Sequence, residues 1–84
     1  MSTQETIIVY GTPWCGDCHR ARAFLDRNQI PYQWIDISDN PEAQAFVMKT
    51  NRGMQSVPTI VFPNGSILVE PSNAELQRQI ELIR

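Results

Sequence analysis

The chain has 84 residues, 42% hydrophobic and 19% charged, with a formal net charge of −2. Those figures suit one small globular domain over residues 1–84 with a modest core, and they offer no basic footprint for nucleic acid. Two cysteines are too few for a disulfide-stapled secreted scaffold, so a reducing, cytoplasmic setting is expected.

The opening MSTQETIIVY has no basic segment and only a short apolar run, so it reads as neither a secretion signal nor a membrane span. Thr6–Tyr10 (TIIVY) is β-branched and aromatic, apolar on both faces, and reads as a buried central strand stopped by Gly11-Thr12-Pro13. From Cys15 to about Asn28 the spacing turns helical. Cys18, Ala21, Phe24 and Leu25 share a face, while Arg20, Arg22, Asp26 and Arg27 are charged. Pro31 closes that segment and Tyr32–Ile37 is a second strand.

Asn40-Pro41 has the composition of a helix start, with Asn as N-cap and Pro at the first helical position. That helix is expected to run through Ala43, Phe46 and Val47 to about Thr50. After the loop NRGMQS, Thr59–Phe62 is a third strand, Asn64-Gly65 favours a tight hairpin, and Ile67–Val69 returns as a fourth. Ser72 and Glu75 have capping-box spacing ahead of a helix whose apolar stripe is Leu76, Ile80 and Ile83. The order is β-α-β-α-β-β-α. Its first βαβ unit requires parallel strands and a right-handed crossover. The predicted fold is therefore α/β, a four-stranded mixed sheet with helices on both faces.

Both cysteines and the only histidine fall within WCGDCHR, residues 14–20. Cys15-Gly16-Asp17-Cys18-His19 formally matches a c-type haem attachment site, and its C-x-x-C could also be half of a zinc site or a redox dithiol. Covalent haem is normally found in exported proteins, and a buried strand ending just before Cys15 is poor scaffolding for a haem pocket. A closed zinc site needs four ligands, and Cys18 and His19 are neighbours that point apart on a helix. No metal site within the chain is expected. The dithiol reading fits the position, because a cysteine at a helix N-terminus faces unpaired N–H groups and the positive end of the helix dipole, which favour a thiolate. Cys15 is then the attacking thiol. Cys18, one turn on and deeper, is the resolving one.

Ser56-Val57-Pro58-Thr59 stands just before the third strand. With the C-x-x-C it resembles the thioredoxin superfamily and, within it, the glutaredoxins. YGTPWCGDC, IDIS and FVMKTNRGMQSVPTIVFPNGSILVEPSNAEL are similar to the mycoredoxin-type members over nearly the whole chain. The resemblance implies the thioredoxin/glutaredoxin fold, a cis Pro58 facing the C-x-x-C, and backbone pairing of Val57 with substrate. It also implies reduction of mixed disulfides between proteins and a small thiol, mycothiol or glutathione. That thiol would act as co-substrate with no tightly bound cofactor, and a flavoprotein reductase system would stand behind it. A monomer without nucleic-acid or membrane partners is expected.

The chain departs from the glutathione-using pattern in three places. Gly16-Asp17 replaces Pro-Tyr, residues 10–14 hold no basic side chain, and Val69-Glu70-Pro71-Ser72-Asn73 stands where a Gly-Gly-x-Asp turn is usual. Glutathione is thereby disfavoured, with Arg52 and Gln55 as the remaining polar candidates near the Val-Pro loop. Trp14 could wall the substrate site. Asp17, where mycoredoxins commonly carry tyrosine, and His19 are candidates to modulate the thiol, the carboxylate opposing a thiolate and an imidazolium holding it. Two rival functions use the same residues: a thioredoxin-like dithiol donor, for example to ribonucleotide reductase, and a dimer binding an iron–sulfur cluster.

Overall fold

The computed structural model describes residues 6–83; the expectation drawn from MSTQE lies outside them. The elements are β1 (Ile7–Gly11), α1 (Gly16–Arg27), β2 (Tyr32–Asp36), α2 (Pro41–Thr50), β3 (Thr59–Val61), β4 (Ile67–Val69) and α3 (Asn73–Ile83), with a 3₁₀ turn at Ile37–Asp39. The sheet order is β2-β1-β3-β4. β1 and β2 are parallel, whereas β3 runs antiparallel to both β1 and β4.

Apolar residues on both faces of β1 separate two packed layers. On one side Ile7 and Val9 join Ala21, Phe24 and Leu25 of α1, Ile60 and Phe62, and Leu76 and Ile80 of α3. On the other, Tyr10 packs against a smaller cluster built on Ile37, Ala43 and Val47, and its ring lies 5.0 Å from that of Phe46. Each fully buried aliphatic or aromatic side chain contributes about 1.5–3 kcal/mol to this arrangement. The predicted mixed sheet with helices on both faces is present.

Several boundaries shift, each for a local reason. Gly11, expected to stop β1, is its last residue and pairs with Asp36. Ile37 leaves β2 because the Asp36 carboxylate accepts the Ser38 N–H at 2.9 Å and nucleates the 3₁₀ turn. Asn28 lies outside α1 as its C-cap. Phe62 belongs to the hairpin, donating to Ser66 O at 2.9 Å and accepting from Gly65 N at 2.8 Å. The capping box of α3 forms as predicted: Ser72 N donates to Glu75 Oε1 at 2.8 Å, and Glu75 N to Ser72 Oγ at 3.1 Å.

The β1–β3 register brings two loops together at one end of the sheet. Tyr10 opposes Thr59, so the residues following Tyr10 and those preceding Thr59 emerge side by side. The first set leads to Cys15; the second is Val57-Pro58. A network beneath this edge holds the approach, with Thr59 Oγ1 donating to Ser56 O at 2.7 Å and accepting from Asn51 Nδ2 at 3.1 Å.

Helix α1 ends in a Schellman motif without its usual glycine. Ile30 N donates to Leu25 O at 2.9 Å and Gln29 N to Asp26 O at 3.0 Å, with Gln29 at φ 58°. A side chain in this left-handed conformation costs about 1–2 kcal/mol, part of which glycine returns through its freer unfolded state. Gln29→Gly is therefore expected to stabilise the protein by about 0.5–1 kcal/mol, raising Tm by about 2–8 °C. Thermal unfolding checks this; an unchanged or lower Tm contradicts it.

Candidate active site

The geometry begins with the start of α1. Cys15 is its N-cap, with extended backbone at φ −86° and ψ 115°. An N-cap side chain normally accepts a backbone N–H two or three residues on. Here the sulfur does so: Cys18 N donates to Cys15 Sγ at 3.1 Å. The loop before it is closed by Cys15 N donating to Thr12 O at 3.2 Å. Cys15 is half-buried, whereas Cys18 is 1% exposed.

The Val57–Pro58 peptide is cis, as the resemblance implied. Cys15 Sγ donates weakly to Val57 O at 3.8 Å across 42 positions of sequence, so the two motifs meet. Pro58 is buried. Behind the cysteines, Gly11 leaves the space that Cys18 and Trp34 occupy. A Cβ at Gly11 would lie 2.5 Å from Cys18 Sγ and 2.8 Å from the Trp34 ring. No motif flagged this glycine, yet any side chain there displaces the second thiol.

The other candidates surround this pair at different ranges. Trp14 is 75% exposed immediately before Cys15. Asp17 is exposed in the first turn of α1, and its carboxylate is 3.6 Å from Arg20 Nη2, a solvent-screened contact of small energetic weight. His19 turns to the preceding loop, with Nε2 donating to Pro13 O at 2.6 Å. Arg52 and Gln55 are exposed on the loop between α2 and β3. Arg52 takes φ 58° just past α2, and Gln55 Nε2 is turned back to Met48 Sδ at 3.7 Å.

Two arginines that the helical spacing marks only as charged have structural partners. Arg22 lies 4.1 Å over the Trp34 ring, a cation–π contact worth about 0.5–1 kcal/mol. Arg20 Nη1 donates to Asn73 Oδ1 at 2.7 Å and Nη2 to Pro71 O at 2.8 Å, tying α1 to the start of α3. Among the described residues, no group of three or more His, Cys, Asp or Glu side chains gathers in a way that could hold a metal ion. No helix there is long and apolar enough to cross a membrane.

The acidity of the buried thiol is suppressed. Burial, and then its hydrogen bond with Cys15, push the Cys18 thiol up to about 12 from an ordinary value of 9.0. The contrary pull of the Thr12 backbone is smaller. Cys18 therefore stays protonated near neutral pH, and only a thiolate alkylates readily. Iodoacetamide treatment of the reduced protein near neutral pH is expected to give one adduct, on Cys15, by peptide mass mapping. Labelling of Cys18 at a rate comparable to Cys15 contradicts this suppression.

Comparison with known proteins agrees with this geometry. The glutaredoxin family model matches residues 7–67. A Mycobacterium tuberculosis protein named as a glutaredoxin is 39% identical over 74 residues, covering 88% of this chain and 88% of its own. Mycoredoxin 1 of Corynebacterium glutamicum is 31% identical over 79 residues, covering 94% of this chain and 98% of its own. The crystal structure of the thioredoxin-like protein BC3987 superposes with a TM-score of 0.76 at 26% identity, over 87% of this chain and 97% of that one. The buckwheat glutaredoxin–glutathione complex shares the fold at a TM-score of 0.71 and 24% identity, over 92% of this chain and 72% of that one. With a C-x-x-C at the head of α1, a cis proline opposite it and this coverage, the chain belongs to the glutaredoxin family, the thiol-disulfide oxidoreductases of the thioredoxin superfamily.

Proposed function

We propose that the protein reduces mixed disulfides between proteins and a low-molecular-weight thiol, with Cys15 as the attacking sulfur and mycothiol as the preferred small thiol. The observation that carries this reading is the Cys18 N–H aimed at Cys15 Sγ at 3.1 Å. A backbone donor and a helix N-terminus beside the half-buried Cys15, with Cys18 closed off, support Cys15 as the attacking sulfur.

In the first step the Cys15 thiolate attacks the small-thiol sulfur of the mixed disulfide. A Cys15–small-thiol disulfide forms, and the protein sulfur leaves as a thiolate that takes up a proton. In the second, the thiolate of another small-thiol molecule attacks that sulfur, releasing the symmetric small disulfide and regenerating Cys15. The reducing equivalent comes from the incoming free thiol, whose sulfur is oxidised to the disulfide as the protein sulfur is reduced, while the small thiol that arrived in the substrate stays at the disulfide level throughout. The symmetric disulfide would be returned to thiols by a flavoprotein reductase. Cys18 offers an alternative second step, closing a Cys15–Cys18 disulfide. Its thiol, held up to about 12 by burial, must lose a proton first, which favours the external thiol.

Val57 and Pro58 would bind the substrate backbone beside Cys15, with Trp14 as a flat apolar wall and Arg52 and Gln55 at the outer rim. Asp17 and His19 would modulate the thiol indirectly. Asp17 lies within the C-x-x-C, and His19 braces the Pro13 carbonyl of the loop leading to Cys15. The preference for mycothiol is supported by the mycoredoxin relative, which spans 94% of the chain, and by the lack of basic residues over positions 10–14. The 84 residues would act as one domain and as a monomer, in a reducing cytoplasm.

The test is turnover of one peptide carrying a single cysteine, disulfide-linked either to mycothiol or to glutathione. Cys15→Ser is expected to abolish it, a loss of at least about a thousandfold, whereas Cys18→Ser stays within about tenfold of wild type. The mycothiol disulfide is expected to react faster. If Cys18→Ser is inactive on both and wild type reduces only protein disulfides, the dithiol-donor reading replaces this one.

A further inference from the structure

The turn between β4 and α3 adjoins the reactive sulfur and is chemically one-sided. Val57 O is 3.8 Å from Cys15 Sγ, and the next carbonyl, Pro58 O, accepts the Glu70 N–H at 2.8 Å. Glu70 thus sits one backbone hydrogen bond away from the segment that faces the thiol. It is exposed, takes φ 51°, and borders an open depression of about 430 Å³ with Arg20, Ser72, Asn73 and Glu75.

An anionic ligand entering from this side would find no free positive group among these residues. Arg20 is committed to Asn73 Oδ1 at 2.7 Å and Pro71 O at 2.8 Å, with the Asp17 carboxylate 3.6 Å away. The N-terminus of α3, where an anion would ordinarily bind, is occupied from within: the Glu75 carboxylate accepts Ser72 N at 2.8 Å. Glu70, Glu75 and Asp17 therefore set three carboxylates against one guanidinium along this flank.

We propose that Glu70 is a specificity-determining residue. Its carboxylate selects against disulfide partners that carry a carboxylate next to the attacked sulfur, and in favour of neutral or cationic ones. The proposal rests on the reading that Cys15 exchanges with small-thiol mixed disulfides, and it extends that reading to the charge of the small thiol. Glu70 acts through space on the approaching partner and takes no part in bond making or breaking.

The experiment uses one cysteine peptide in three disulfides, with 3-mercaptopropionate (anionic), 2-mercaptoethanol (neutral) and cysteamine (cationic). kcat/KM is measured for wild type, Glu70→Gln and Glu70→Lys at about 20 mM and about 500 mM salt. The anionic-to-neutral ratio is expected to rise about 3–10-fold from wild type to Glu70→Gln, and further in Glu70→Lys, while the cationic-to-neutral ratio falls. Both shifts should shrink at the higher salt. Glu70→Asn, whose side chain tolerates the left-handed backbone, repeats the neutralisation if Gln destabilises the turn. Ratios unchanged across the variants, with wild type active on all three disulfides, overturn the role of Glu70 alone. Wild type inactive on every disulfide overturns the underlying exchange reading and this inference with it.

Discussion

A helix must satisfy the backbone donors of its first turn, and in α1 one of them is satisfied by sulfur. Where Ser, Asp or Asn would ordinarily cap, Cys15 holds the Cys18 N–H at 3.1 Å. That one contact fixes the sulfur at the dipole's positive end and at the surface. It also fixes the unequal fates of the two thiols, because Cys18, three residues further along the helix, is carried inward beneath Gly11. Cys15 keeps some exposure, whereas Cys18 loses both its access to solvent and its acidity. One thiol lies half-buried at the helix N-terminus, and the other is kept protonated by burial.

The remaining elements bring a partner surface to that sulfur. The β1–β3 pairing sets Tyr10 opposite Thr59, which delivers Val57-Pro58 to the edge where α1 begins. From there a second line of contacts returns to α1. Glu70 N donates to Pro58 O, Pro71 and Asn73 follow in the same turn, and Arg20 of α1 bonds to both of them. Cys15, the Val57-Pro58 segment, the β4–α3 turn and Arg20 are consequently joined in a continuous circuit of short-range interactions, with the Glu70, Glu75 and Asp17 carboxylates gathered around its single guanidinium.

Much of this was legible in the sequence because the signals are local. Asn40-Pro41, Asn64-Gly65 and the Ser72/Glu75 pair each specify a cap or turn within a few residues, and all three form as read. The C-x-x-C and Val-Pro-Thr stretches lie forty residues apart, and only the family resemblance joined them in advance. What stayed hidden depends on long-range packing. Arg20 meets Pro71 and Asn73 more than fifty positions away, and Arg22 covers Trp34. Helical spacing marks such arginines only as charged. Gly11 read as a strand stop, since nothing nearby reveals that a cysteine and a tryptophan converge on its missing Cβ. The left-handed Gln29 and Glu70 were equally invisible, because neither is the glycine that normally announces such a backbone.

The central claim is that Cys15 alone forms the covalent intermediate and that it captures the small thiol. The most direct test is intact-mass analysis of Cys18→Ser after brief mixing with a peptide–mycothiol disulfide, followed by acid quenching. The account predicts a protein species heavier by one mycothiol, mapping to Cys15, together with free peptide thiol. Capture of the peptide in place of mycothiol, or no covalent adduct at all, would contradict it.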